Sequence, residues 1–194
     1  MKPTNFEIAI ALIDQKNAED NNTYSSHGVV FSKELLYSQR MSQKLLQFKG
    51  EASEALQIAA RAQHICRWKI ARNQFAMDRV GYLTWRETLK KMHADLTAEL
   101  LETVGYSDEF IERVSFLINK KMIKKDDESQ VIQDVICLVF LEHYFEDFSN
   151  KHEEEKVISI VQKTWKKMSE AGHEFALKLK YSEKSLALIQ QAIK

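Results

Sequence analysis

The chemistry this chain could perform is concentrated in two histidines, one carboxylate and a run of arginines. His64 lies in AARAQHICRW (59–68), His93 in LKKMHADL (89–96) and Asp134 in VIQDVICLVFLE (131–142). Asp134 is the one acid in the first half of an otherwise apolar stretch. A carboxylate there must be paired, hydrogen-bonded or bound to a metal, because burying it alone costs several kcal/mol, roughly. Either it makes an ion pair with an arginine such as Arg40, Arg61 or Arg86, or it serves as a ligand. A single histidine on a helix is commonly a hydrogen-bonded core residue. Two histidines and an acid on three helices could instead hold a divalent metal, or act as acid and base, since bundles build such sites from facing helices. No HExxH or ExxH spacing accompanies them.

The arginines form the second group. Between residues 55 and 92 the chain has eight basic residues (Arg61, Arg67, Lys69, Arg72, Arg79, Arg86, Lys90, Lys91) against two acidic ones, Asp78 and Glu87. Arg67, Arg72, Arg79 and Arg86 are interleaved with Trp68, Phe75, Tyr82 and Trp85. Guanidinium groups grip phosphate oxygens in pairs and aromatic rings can stack a base, so this segment is a candidate anion site. The alternative is a solvated basic face with a few buried aromatics. Net charge over the 194 residues is zero, so bulk electrostatics do not make the chain a polyanion binder. A small nucleotide or phosphorylated metabolite is expected ahead of nucleic acid. Lys120, Lys121, Lys124 and Lys125 read as a solvated helix end. No P-loop, GxGxxG or GxSxG word is present.

The elements that must position these residues are helices. Five glycines and one proline are too few for the turns of a sheet-rich fold. The expectation is an all-α, single-domain bundle of about seven helices spanning residues 1–194. Thr4 and Glu7 form a capping-box pattern at its start. Ser32, Ser53 and Ser107 are N-cap candidates, and Gly105 has the position of a helix C-terminus. Asn17 to Gly28, with His27, reads as a polar loop, and residues 69–81 as an irregular segment over the basic region. The helix capped by Ser53 carries Gln57, Ala60, Arg61, His64 and Trp68 on one face. Residues 131–140 are apolar almost all round, the pattern of a central buried helix. Cys66 and Cys137 lie apart in apolar contexts, consistent with reduced thiols. Met1-Lys2-Pro3 leads straight into an amphipathic segment, and no apolar run reaches membrane-span length. A cytoplasmic protein with no membrane partner is expected.

This order of words resembles the HD (His-Asp) phosphohydrolase superfamily over roughly residues 32–148. That family's first helix carries His followed by Ser-x-Arg, where this chain has Tyr37-Ser38-Gln39-Arg40. Its defining His-Asp pair follows an alanine-rich helix, where this chain has Gln63-His64. A family His opening a later helix, ahead of a Gly and an apolar helix, corresponds to His93, Gly105 and residues 108–118, and its final Asp to Asp134. Within the superfamily, ELLYSQRM, AARAQHICRW, GYLTWR and KTWKKMS are similar to words of an uncharacterised domain-of-unknown-function family.

The resemblance implies two readings. The first is a hydrolase for a phosphate ester or nucleotide. In it His64, His93 and Asp134 hold a remodelled divalent metal or transfer protons. Substrate is held by Tyr37, Arg40, Gln63, Arg67, Trp68, Arg72, Arg79 and Arg86. The second is a non-catalytic nucleotide- or phosphate-binding module on the same frame, because the His-Asp pair is replaced.

Overall fold

The computed structural model describes residues 2–26 and 28–194, so Met1 and His27 of the expected polar loop lie outside the described residues. Helix dominates, as expected, but there are ten α-helices among the described residues, and a short hairpin sits within the segment expected to be a loop.

Helix α1 (Asn5–Ala18) starts at the expected capping box: Thr4 accepts from the Glu7 amide, and the Glu7 carboxylate accepts from the Thr4 amide at 2.8 Å. Strands β1 (Thr23–Ser26) and β2 (Val29–Ser32) pair antiparallel. Gly28 supplies the left-handed backbone of their connection, φ +78°, which glycine adopts without steric cost. Helix α2 (Lys33–Phe48) follows directly. Ser32 occupies its N-cap but makes no cap bond, because its hydroxyl donates to the Ala18 carbonyl at 3.3 Å.

Helix α3 (Glu54–Arg61) stops earlier than the sequence pattern predicts. The buried Asn17 side chain accepts from the Cys66 amide at 3.1 Å, which takes that amide out of a continuing helix. Cys66 turns left-handed, φ +53°, and a 3-10 turn (Arg67–Lys69) follows. His64 thus sits on a turn rather than on a helix face. A second 3-10 turn (Arg72–Gln74) leads into α4 (Arg79–Val104), capped by Asp78 at the Gly81 amide. Gly105, φ +94°, ends α4 in a left-handed cap: the amides of Gly105 and Tyr106 both donate to the Leu101 carbonyl at 3.1 Å.

Helix α5 (Asp108–Ile118) packs on α4 and α3. Helix α6 (Asp127–His143) is the central element. Its Ile132, Val135 and Val139 join a core shared with α1 to α5, while Cys137, Leu138 and Leu141 join a second core. That second core is completed by α7 (Phe145–Ser149), α8 (Glu154–Trp165), α9 (Glu170–Ala176) and α10 (Glu183–Ala192). Burial on both faces explains why the sequence of α6 lacks a polar stripe. Two ion pairs fix the layers: Arg61 grips Asp14 of α1 through two hydrogen bonds of 2.6 and 2.5 Å, and buried Lys44 of α2 pairs with Glu142 of α6 at 2.6 Å. No helix of the described residues is long and apolar enough to cross a membrane.

Replacing Asn17 by Ala leaves the Cys66 amide unpartnered in the interior. The expected result is a loss of about 1–3 kcal/mol in unfolding free energy, read by urea denaturation of Asn17→Ala beside the parent.

Candidate functional site

A cavity of roughly 280 Å³ opens between the turn after α3, the first half of α4, the turn after α5 and one face of α6. The turn contributes Gln63, His64 and Arg67. Helix α4 contributes Tyr82, Trp85, Arg86, Lys90 and His93, which recur at helical spacing along one line. Lys120 enters from the turn after α5, Gln133 and Cys137 from α6, and Lys167 from the segment after α8. Five cations therefore face this space (Arg67, Arg86, Lys90, Lys120, Lys167), and no carboxylate among the described residues lines it.

Aromatic rings and polar side chains stand against four of these cations. The Arg67 guanidinium lies 4.8 Å from the Trp85 ring centroid, while the Trp85 indole N–H donates to the Ile70 carbonyl at 2.9 Å. Arg86 lies 5.8 Å from the Tyr82 ring, and Lys90 is paired with Glu87 on its outer side at 2.6 Å. Lys120 stands in a left-handed backbone conformation, φ +52°, as do Met122 and Lys124 two and four residues on. For non-glycine residues that conformation costs about 1–2 kcal/mol each. It turns the Lys120 amine back to the Gln63 Oε1, 3.3 Å away. Burial, with Arg86 and Lys90 adding like charge, pushes the Lys120 amine down to about 7.

Both histidines face this cationic wall. His93 Nδ1 lies 2.7 Å from the Ile65 carbonyl, which can only accept, so Nδ1 carries the proton and Nε2 presents a lone pair. His64 Nδ1 lies 3.3 Å from Glu34 Oε2, and its ring stacks on Tyr37 with centroids 3.9 Å apart. The two imidazole rings are 6.0 Å apart. Burial lowers both from the ordinary imidazole value: His64 falls well below it, helped by the charges of Arg67 and Lys120, and His93 falls to about 3. At neutral pH the site holds two uncharged proton acceptors amid fixed positive charge. Glu34, on the first turn of α2, is raised by its own burial and partly restored by Arg67, whose Nη1 is 3.8 Å away.

The structure brings together His64, His93, Gln63, Arg67 and Arg86, with Tyr37 stacked on the far side of His64. It does not bring Asp134 to them. Both Asp134 oxygens are taken: Oδ1 accepts from the Ser169 amide at 2.8 Å and from Gln130 Nε2 at 3.1 Å, and Oδ2 accepts from the Ser169 hydroxyl at 2.6 Å. Ser169 in turn caps α9 through the Gly172 amide at 3.1 Å. An alanine Cβ at Gly172 would lie 2.8 Å from Asp134 Oδ1, so the approach is too close for any side chain. Asp134 is thus the anchor of α9, and the expected arginine pairing is replaced by hydroxyl, amide and backbone donors. The three expected metal ligands are not brought together: Asp134 is engaged by Ser169 and Gln130, and no group of three His, Cys, Asp or Glu residues among the described residues is placed to hold a metal ion.

Four further expected contacts lie outside the cavity. The Arg40 guanidinium sits 5.1 Å from both the Tyr24 and Tyr144 ring centroids. Trp68 packs on the first core. Arg72 donates to the Phe75 and Asp78 carbonyls, at 3.1 and 3.2 Å, and braces the turn before α4. Arg79 is exposed at the first residue of α4. Lys120 and Lys167, expected at a solvated helix end and in no role, line the cavity instead, and Glu34 adjoins it. None of the three stands out by local spacing.

A family model described as a domain of unknown function (DUF4202) matches residues 7–189. No curated protein and no solved structure matches the chain.

Two outcomes follow from these contacts. Asp134→Asn removes the charge that holds Ser169 and Gln130, with an expected loss of about 1–3 kcal/mol in unfolding free energy, measured by urea denaturation beside the parent. For His93, the folded value is below the unfolded one, so on acidification the unfolded chain takes up a proton first. Stability conferred by neutral His93 is therefore complete above about pH 6.5 and is lost as pH falls toward about 3. His93→Gln, which keeps a donor for the Ile65 carbonyl, should remove up to one proton from the pH dependence of unfolding across that window.

Proposed function

The chain belongs to the family described as a domain of unknown function (DUF4202), and from that premise we propose that it binds a small phosphorylated compound through the Arg67–Arg86–Lys120–Lys167 cavity. One observation carries the reading: five cations line an open cavity to which, among the described residues, no carboxylate contributes. Like charges held within reach of one another are stabilised by an anion between them. The cavity's size favours a metabolite or nucleotide over a nucleic acid strand. Nitrogen donors of both kinds, planar guanidinium and point-charge ammonium, suit phosphate oxygens approached from several sides.

The frame is read as a divergent HD-like bundle. His93 ahead of Gly105 and α5 supports that placement, while Asp134 lies at the middle of α6 rather than opening it. The displaced Asp134 favours a binding module that senses or transmits the presence of its ligand over metal-assisted hydrolysis. A second reading, a hydrolase working without that metal set, is supported by one arrangement: His64 and His93 both line the cavity uncharged. A bound phosphate would raise their basicity, so that either takes a proton from an attacking water while the surrounding cations offset charge on the phosphoryl oxygens.

Calorimetric titration of the whole protein with inorganic phosphate and pyrophosphate tests the reading. Saturable binding that weakens with added salt is expected, and Arg86→Gln and Lys167→Gln should each weaken it by about tenfold, the size of one charge-assisted hydrogen bond. Absence of binding to either anion would sink the proposal. Incubation with a chromogenic phosphomonoester separates the two readings: turnover lost in His93→Gln supports the hydrolase, and binding without turnover supports the sensor.

A further inference from the structure

The basic cavity does not end at His64. A second cavity of roughly 300 Å³ adjoins it, and His64, Arg67, Ile136 and Phe140 line both. Its remaining walls differ in kind. Tyr37 and Tyr144, with ring centroids 6.2 Å apart, supply flat apolar surface, and Glu34 supplies a carboxylate. Among the described residues Glu34 is the one acid lining either space. Its side chain is 5% exposed and is held at 3.3 Å from His64 and 3.8 Å from Arg67, so it cannot swing out to solvent to admit a second anion. Lys33, also at this cavity, is exposed.

We propose that the two cavities form one cleft that selects a phosphate ester of a flat, uncharged organic group. The phosphate is seated among Arg86, Lys120 and Lys167, and the organic group lies between Tyr144 and Phe140 beside Glu34. This rests on the reading of the basic cavity as a phosphate site and adds the class of molecule that carries the phosphate. Each cavity alone is near the lower bound of a small-molecule site, about 300 Å³, and the pair offers room for a ring and a phosphate joined across the His64–Arg67 neck. Rings give apolar and stacking contact with Phe140 and Tyr144. Glu34 excludes ligands with negative charge at both ends, because a carboxylate or second phosphate would face it at close range in a partly dry space. It favours a ligand whose organic end donates a hydrogen bond.

A ligand series on the unmodified protein tests this by titration calorimetry: inorganic phosphate, methyl phosphate, phenyl phosphate and 4-carboxyphenyl phosphate. Phenyl phosphate is expected to bind at least about tenfold tighter than methyl phosphate, the scale of one ring's burial. The added carboxylate of 4-carboxyphenyl phosphate should cancel that gain. Glu34→Gln, which keeps an acceptor for the His64 Nδ1 proton, should bring 4-carboxyphenyl phosphate to within a few fold of phenyl phosphate, and Tyr144→Leu should shrink the phenyl-to-methyl ratio. Equal affinities for methyl and phenyl phosphate, with inorganic phosphate still bound, would overturn the two-part cleft and leave the phosphate site standing. Failure of all four ligands would overturn both. Tight binding of 4-carboxyphenyl phosphate to the unmodified protein would remove the role given to Glu34. The first three comparisons need no variant, so loss of folding in Glu34→Gln or Tyr144→Leu does not remove the test.

Discussion

Helix α6 is buried on two opposite faces, and the carboxylate at its middle, Asp134, must therefore find donors inside the protein. That requirement organises much of the molecule. Asp134 is satisfied only if Ser169 comes to it, and Ser169 brings the start of α9. Gln130 reaches the Lys167 carbonyl at 3.0 Å, so the segment that bears Lys167 is tied to the same helix. Glu142 at the other end is matched by Lys44 of α2. The two cores are thus joined by one helix tied to its neighbours through polar bonds along its length, and the position of one cavity cation, Lys167, is a by-product of how a buried carboxylate finds its hydrogen-bond donors.

The cavity itself gathers cations while no carboxylate among the described residues lines it. Three things offset their mutual repulsion locally. Arg67 and Arg86 lie near aromatic rings, Lys90 is paired on its outer side, and the groups that can give up charge do so, which leaves His64 and His93 neutral and brings the Lys120 amine close to neutrality. The protonation state of the site follows first from burial and then from the like charges nearby. An anion among these groups would reverse the sign of the potential they feel and draw protons onto them.

What could be read in the sequence was whatever depends on neighbours along the chain. The capping box at Thr4, the cap at Gly105, the all-round apolar character of α6 and the line of Leu89 and His93 on α4 are local patterns, and they are present. Arg67 and Arg86 were legible because basic residues crowd that segment without acids. The rest depends on contacts between distant residues. The end of α3 is set by Asn17, whose carbonyl captures an amide 49 positions away. Asp134 reads identically in sequence whether it faces a metal, an arginine or the end of another helix, and only Ser169 decides. Lys120 was hidden because nothing in the words around it announces a left-handed lysine, and Glu34 because it looks like an ordinary first-turn acid on α2.

The alternation of left-handed residues at 120, 122 and 124 bears on how the site meets a ligand. A lysine on a regular surface helix samples many rotamers, and binding must freeze them, at about 2 kcal/mol of side-chain entropy. Here the backbone is already bent to a conformation few residues adopt, and the amine is already directed to Gln63. Its freedom is surrendered when the chain folds, so less ordering remains to be done on encounter. On the proposed reading of the cavity, the strain in this turn is preorganisation: the native state is made slightly less stable and the Lys120 amine is set in place before an anion arrives.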